Sequence, residues 1–422
     1  MRELKYIFVL MLITVGFSSL FSQNFDLNTA INGNCGILRR VSVYGDDNRE
    51  EYCAQNMIIR ELADSVAAFF RDDGHSIVKS GNTYRLAQTT LSQSERLSPS
   101  ERFSDQPASS FCTGFLISDD MMVTAGHCVR DNLSDASDHI ASICNQNTRQ
   151  GVYCKDIKIV FGYKKNIGGI VPVSISEDNV YSCAKVVAHS FNAGPDYTVI
   201  KLDRKVKNIK PLAVDRKNSA LKVGTEVFVI GHPSGLPLKI ADNAEVIKLN
   251  EDMQVNRNGT KINYLNKNYS FLTNLDTFHG NSGSPVLNAK TLMVEGILVS
   301  GDEDYVRDSS STSTNITARY QEHPSSNEYG SGVGEVATKI SVLSMIPVTQ
   351  REKDMIDMNK RAGGDLYRYL LNELLNYNNQ NNNAMQNGVV PIPNFTPDSG
   401  AVIQHPVYHP DSIPIPSASI EI

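Results

Sequence analysis

Two short stretches hold the residues best suited to covalent chemistry. Thr124-Ala125-Gly126-His127-Cys128 sets an imidazole beside a cysteine, and Gly280-Asn281-Ser282-Gly283-Ser284-Pro285 sets a hydroxyl inside a glycine-bearing turn. A serine hydroxyl is a weak nucleophile at neutral pH and needs an adjacent base to take its proton as it attacks a carbonyl. Histidine titrates in the right range for that base. A buried carboxylate fixes the imidazole tautomer and stabilises the imidazolium that forms. Gly194-Pro195-Asp196-Tyr197 supplies a candidate carboxylate, and Asp178 and Asp203 are its rivals. Asp196 is preferred because the apolar run Val199-Ile200-Lys201-Leu202 follows it directly, whereas Asp203 lies past that run and reads as a turn or surface group. The reading is Ser282 as nucleophile, His127 as base and Asp196 as orienter. Gly280 and Gly283 allow backbone conformations closed to other residues. The N–H groups of Gly280 and Ser282 can then serve as an oxyanion hole.

The chain order His–Asp–Ser matches the chymotrypsin arrangement and differs from the subtilisin and α/β-hydrolase orders. The G-x-S-x-G elbow of the latter is not met, because Ser284 stands two residues after Ser282. The two motifs, together with Cys112-Thr113-Gly114-Phe115-Leu116-Ile117 and Gly231-His232-Pro233-Ser234-Gly235, resemble a chymotrypsin-fold, trypsin-like serine protease of the bacterial V8 or glutamyl-endopeptidase type over roughly residues 100–345. That resemblance implies an all-β fold of two packed six-stranded antiparallel barrels, with His127 and Asp196 on the first and Ser282 on the second. It also implies a Cys112–Cys128 disulfide holding the histidine loop.

In this fold the floor of the primary pocket lies six residues before the serine, which is Asp276 here; a carboxylate there favours Lys or Arg in the substrate. His279 is a further candidate for shaping the pocket. Glutamate-specific relatives carry a histidine on the strand after the serine, and the aligned residue here is Leu298, which argues against glutamate specificity. Activated trypsin-like zymogens use an aspartate just before the serine; Asn281 cannot form that ion pair. The reading is a serine endopeptidase acting on proteins or peptides through an acyl-enzyme. The alternatives are a protease-fold binding protein without turnover, or an esterase. His189 and His232 lack the flanks of His127 and read as structural or surface residues.

From Phe111 onward, short branched runs alternate with Gly, Pro and Asn turns, as in Phe115–Ile117, Ile157–Phe161, Lys185–Val187, Glu226–Ile230, Ser270–Leu272 and Val294–Val299, the pattern of an all-β barrel or sandwich. Residues 1–22 read as a signal peptide: Arg2 and Lys5, an apolar core from Tyr6, then small residues. Export to the outside or the periplasm follows, with no membrane attachment after cleavage. Residues 23–100 form an N-terminal extension or propeptide, with a helix expected over Gln55–Arg71 capped by Asn56. The protease domain spans 101–348, a C-terminal helix 349–378, and an Asn- and Pro-rich flexible tail 379–422. Export permits disulfides among the seven cysteines; Cys35–Cys53 and Cys144–Cys154 are local options, and Cys183 is an alternative partner for Cys144 or Cys154. No zinc spacing is present, and no metal or cofactor is expected. Asp302, Glu303 and Asp304 read as a solvated acidic loop. A net charge of −6 with scattered basic residues gives no case for nucleic acid, and a monomer is expected.

Overall fold

The structure, a computed structural model, describes residues 44–45, 47–130, 151–191, 194–310, 313–344 and 346–386. The expected signal peptide, Cys35, Cys144 and the tail beyond 386 lie outside these residues. The strands that matter are β1 (Arg49–Glu51), β2 (Val66–Arg71), β3 (Cys112–Leu116), β4 (Met121–Thr124), β5 (Ile157–Phe161), β6 (Val180–Ser190), β7 (Tyr197–Leu202), β8 (Glu226–Gly231), β9 (Lys239–Leu249), β10 (Ser270–Thr273), β11 (Pro285–Asn288), β12 (Val294–Ser300) and β13 (Glu335–Lys339). The helices are α1 (Met57–Ala63), α2 (Leu91–Glu95), α3 (Gln350–Arg361) and α4 (Leu366–Gln386).

Strands β6-β7-β4-β3-β2-β5 close into a six-stranded antiparallel barrel. Strands β9-β8-β11-β12-β13-β10 close into a second, with β1 added to β9 as an outer strand. The expected pair of six-stranded barrels is therefore present. Each barrel is filled by its own inward-facing side chains. Phe69, Leu116, Met122, Ile159, Phe161 and Ile200 fill the first, and Val229, Val246, Phe271, Val286, Leu298 and Ala337 the second. A third apolar cluster, with Phe115, Val123, Phe228, Ile230, Ile297 and Ile340, joins strands of both barrels to α1 and α3. Burying this surface is the main favourable term holding the barrels together.

The N-terminal region differs from the sequence expectation. Asn56 does cap a helix, its side chain accepting from Ile58 and Ile59 N–H at 3.0 and 3.1 Å. That helix stops at Ala63, and Val66–Arg71 is a strand. Successive side chains enter opposite cores: Ala67 and Phe69 face the first barrel's interior, while Ala68 and Phe70 pack with Ile77, Leu86 and Tyr163. A strand buried on both faces reads as a continuous apolar run and mimics helical spacing over five residues. Because β2 pairs with both β3 and β5, the boundary expected at residue 100 does not separate an extension from the barrel.

Two disulfides are described. Cys112–Cys128 is the expected bond, and Cys154 joins Cys183, the alternative to a Cys144–Cys154 pair. Cys53 is also disulfide-bonded. At the other end α3 carries a capping box, with Thr349 as N-cap and Glu352 at its third position. A compact unit runs to Leu374. No helix among the described residues is long and apolar enough to cross a membrane.

Candidate active site

His127 sits in a single helical turn directly after β4. Asp196 immediately precedes β7, and β7 is paired to β4 with Thr198 opposite Thr124. This register carries the carboxylate to the imidazole. Asp196 Oδ2 lies 2.8 Å from His127 Nδ1, and Oδ1 accepts from the His127 backbone N–H at 3.1 Å. The carboxylate thus holds ring and main chain together. Gly126 makes room for it: a Cβ there would lie 2.8 Å from Asp196 Oδ1 and 2.2 Å from the Ser190 carbonyl. Burial lowers the His127 pKa, but the charge and hydrogen bond of Asp196 outweigh it and leave the value above the usual histidine range. The rival carboxylates lie elsewhere. Asp203 accepts from Ser182 N–H and pairs with Arg204, and Asp178 stands in the exposed turn before β6. The ring of Phe191 lies 6.0 Å from that of His127.

Ser282 comes from the loop between β10 and β11 of the second barrel and meets the His127 loop of the first. Its carbonyl accepts from Thr113 N–H at 2.9 Å and lies 3.6 Å from Cys128 Sγ. The Thr113 hydroxyl donates to the Gly280 carbonyl at 2.8 Å. On the other side, Gly283 N–H donates to the Leu298 carbonyl at 2.7 Å, and Leu298 N–H donates to the Ser284 carbonyl at 2.9 Å. The turn is therefore clamped between β3 and β12. Gly280 (φ +87°) and Gly283 (φ +91°) both occupy the left-handed region, and a Cβ on Gly283 would fall 2.1 Å from the Thr113 carbonyl. Among the described residues no acceptor takes the N–H of Gly280 or Ser282. Two free amides on adjacent turns are what an oxyanion binder needs.

The three pocket candidates are distributed differently. Leu298 is buried with its side chain in the second barrel's core. Asp276 is buried, and its oxygens accept from Tyr44 N–H at 2.9 Å and Asn48 N–H at 2.7 Å. Burial pushes its pKa up to about 7, against the opposing pull of those two amides. Next to it the Thr277 hydroxyl donates to Glu335, which is also approached by the Tyr44 hydroxyl at 3.5 Å and Asp302 N–H at 3.2 Å. Burial holds the Glu335 carboxyl well above the ordinary range. His279 lies between two carboxylates. Asp304 Oδ2 is 2.7 Å from its Nδ1 and 2.9 Å from its backbone nitrogen, and Glu95 Oε1 is 3.2 Å from Nε2. Burial lowers its pKa, but the two acids prevail and raise it to about 9. Asp302 accepts from Gly330, Gly332 and Val333 N–H, so this part of the expected acidic loop is an internal loop anchor. His232 is buried against Tyr163, its Nδ1 3.0 Å from the Leu236 carbonyl, as its structural reading implied.

Tyr44, Asn48, Glu95 and Glu335 did not stand out in the sequence. Each reaches the site through main-chain amides or a single side chain far away in the chain, and no local motif marks such contacts.

Residues 112–297 match the trypsin-like peptidase domain family. No curated protein matches the chain. Among solved structures the chain is similar to a Glu endopeptidase, with 15% identity, 76% of this chain and 100% of that chain covered, and a TM-score of 0.36. It is also similar to the VesB protease of Vibrio cholerae, with 14% identity, coverage of 71% and 65%, and a TM-score of 0.37. The Rv3671c protease in its inactive form gives 15% identity, coverage of 58% and 82%, and a TM-score of 0.31. The protein carries a trypsin-like peptidase domain of chymotrypsin fold. It is a serine-type peptidase, a hydrolase whose substrates are proteins or peptides.

Proposed function

We propose that this protein is an exported serine endopeptidase whose triad is Ser282, His127 and Asp196, with the Gly280 and Ser282 N–H groups as oxyanion hole. The observation that supports this reading above the others is the double hold of Asp196 on His127, through Nδ1 and through the backbone N–H. It leaves Nε2 as the ring nitrogen able to accept a proton. Ser282 Oγ attacks the scissile carbonyl carbon as its proton passes to Nε2. The C–N bond then breaks, and the same proton goes to the leaving amine. Water repeats the sequence on the acyl-enzyme, releasing the acid and free Ser282.

Substrate preference is the finer part of the proposal. Asp276 and Glu335, linked through Tyr44 and Thr277, make one buried acidic group, proposed as the floor of the primary pocket. A Lys or Arg side chain would draw these carboxyls into their ionised form. Export is supported by the signal-like start and by two disulfides, which persist in oxidising compartments. The chain from Tyr44 onward stays with the working enzyme, because β2 is a barrel stave and Tyr44 and Asn48 hold Asp276.

Hydrolysis of P1-varied peptides, measured beside simple esters with wild type and Ser282→Ala, tests the whole reading. Peptide cleavage after Lys or Arg, lost in Ser282→Ala, is expected. A preference for Glu or large apolar P1 residues sinks the acidic pocket, and ester turnover without peptide turnover sinks the peptidase reading. The Lys-to-Leu preference ratio, in which the His127 titration cancels, should rise between pH 6 and 8 as Asp276 ionises around 7.

A further inference from the structure

The peptide joining His279 to Gly280 is held from several sides. The His279 carbonyl accepts from Ser234 N–H at 2.5 Å. Ser234 is a non-glycine residue at φ +52°, and its hydroxyl lies 2.5 Å from the Tyr305 hydroxyl. In a trans peptide the carbonyl and the following N–H point in opposite directions, and no cis bond occurs among the described residues. Anchoring the carbonyl on Ser234 therefore aims Gly280 N–H away from Ser234. Turning this peptide over would break that bond, and nothing on Gly280 itself resists it, since glycine tolerates either conformation.

The Ser234 bond resists it, and His279 places the carbonyl that accepts this bond. Asp304 Oδ2 takes both its backbone N–H and its Nδ1, while Glu95 at the end of α2 faces Nε2 at 3.2 Å. These two acids come from segments far apart in the chain, α2 and the approach to the Tyr305–Arg307 strand. The other titratable groups packed here are Tyr305, whose ring lies 6.1 Å from the imidazole, and Arg49, whose guanidinium sits 4.0 Å over the neighbouring Phe278 ring.

We propose that His279, gripped between Asp304 and Glu95, is a positioning residue that locks the 279–280 peptide so that Gly280 N–H stays aimed at the developing oxyanion. This rests on the reading that Gly280 and Ser282 N–H form the oxyanion hole. The imidazolium bonds Asp304 through Nδ1 and pairs by charge with Glu95 across 3.2 Å; the neutral ring keeps only the Asp304 bond. With its pKa raised to about 9, His279 holds both below that pH and releases one above it.

The test measures kcat and KM against pH for wild type, His279→Gln, Glu95→Gln and Ser282→Ala. Binding of a peptide aldehyde, whose hemiacetal oxygen enters the oxyanion hole, is measured alongside, with circular dichroism to report folding. Wild-type kcat should fall as pH rises through about 9. His279→Gln should lose roughly 10- to 100-fold in kcat and in aldehyde affinity while KM holds, a partial loss of one oxyanion donor. Glu95→Gln should keep the fold and move the alkaline limb to lower pH, leaving the acid limb of His127 in place. If His279→Gln does not fold, Glu95→Gln decides alone. A folded Glu95→Gln enzyme with an unmoved alkaline limb and unchanged aldehyde affinity overturns the proposal, as does a folded His279→Gln enzyme with wild-type kcat. Full activity of Ser282→Ala would instead overturn the triad reading beneath it.

Discussion

Asp196 holds His127 at two points, and that double hold makes a sharp substitution test. Asp196→Asn keeps the shape but offers an N–H where the ring needs an acceptor, so the wrong tautomer is favoured. The expected loss is about 10⁴-fold in kcat with little change in KM, the size seen when a triad carboxylate becomes an amide. The pH dependence has a definite sign. In the proposed triad His127 must be neutral to take the serine proton, and its pKa lies above the ordinary value because Asp196 outweighs burial. Activity should therefore fall as pH drops through a point above 6.5. In Asp196→Asn the residual activity should lose that limb at lower pH. The stability contributed by this pair runs the other way: it is present at low pH and is lost as pH rises through the raised pKa. A pH–rate profile with stopped-time assays and a parallel thermal melt separates the two effects.

At the scale of elements, the Ser282 turn depends on backbone that only glycine fits. Gly283→Ala combines φ +91° with a Cβ 2.1 Å from the Thr113 carbonyl and 2.2 Å from the Thr124 hydroxyl. The conformational strain alone is about 1–3 kcal/mol, so a lower Tm is expected together with a loss of kcat, because the displaced residue adjoins Ser282. A variant with wild-type Tm and rate would contradict this packing. The two catalytic motifs were legible for the same reason: a glycine forced by close approach and a polar residue forced by chemistry both leave their mark in a local string of residues. Most strands were legible too, as short branched runs between turns. Val66–Phe70 was not, because a strand buried on both faces loses its alternation and its spacing imitates a helix. The surroundings of Asp276 and His279 were equally hidden. Their partners, Tyr44, Asn48 and Glu95, meet them only through tertiary packing.

At the scale of the molecule, the segment from Tyr44 to β2 and the helix α3 are both tied into the barrels. A chain beginning at residue 101 lacks β2, leaving the first barrel open between β3 and β5 and Asp276 without its two amides. Expression of that truncation should give no cooperative thermal transition and no activity; a folded, active product would show that the N-terminal region is dispensable. The other end is secured by Arg216, which pairs with Glu352 through contacts of 3.0 and 2.8 Å and donates to the Leu343 carbonyl at 2.7 Å. Glu352 is fully buried. Arg216→Ala strands that carboxylate and should cost about 3–5 kcal/mol in denaturant unfolding. Double replacement with an apolar pair should recover much of it. The proposed active site straddles the barrels, with Thr113 of the first bonded to Gly280 and Ser282 of the second. Loosening either barrel should therefore cost activity before it costs secondary structure.

Treatment of the active enzyme with a fluorophosphonate, followed by mapping of the modified peptide, tests the central claim most directly. One label per molecule on Ser282, appearing in step with loss of peptide hydrolysis and absent from Ser282→Ala, is the expected result. Active enzyme that takes no label at Ser282, together with a Ser282→Ala variant at full rate, would contradict the account.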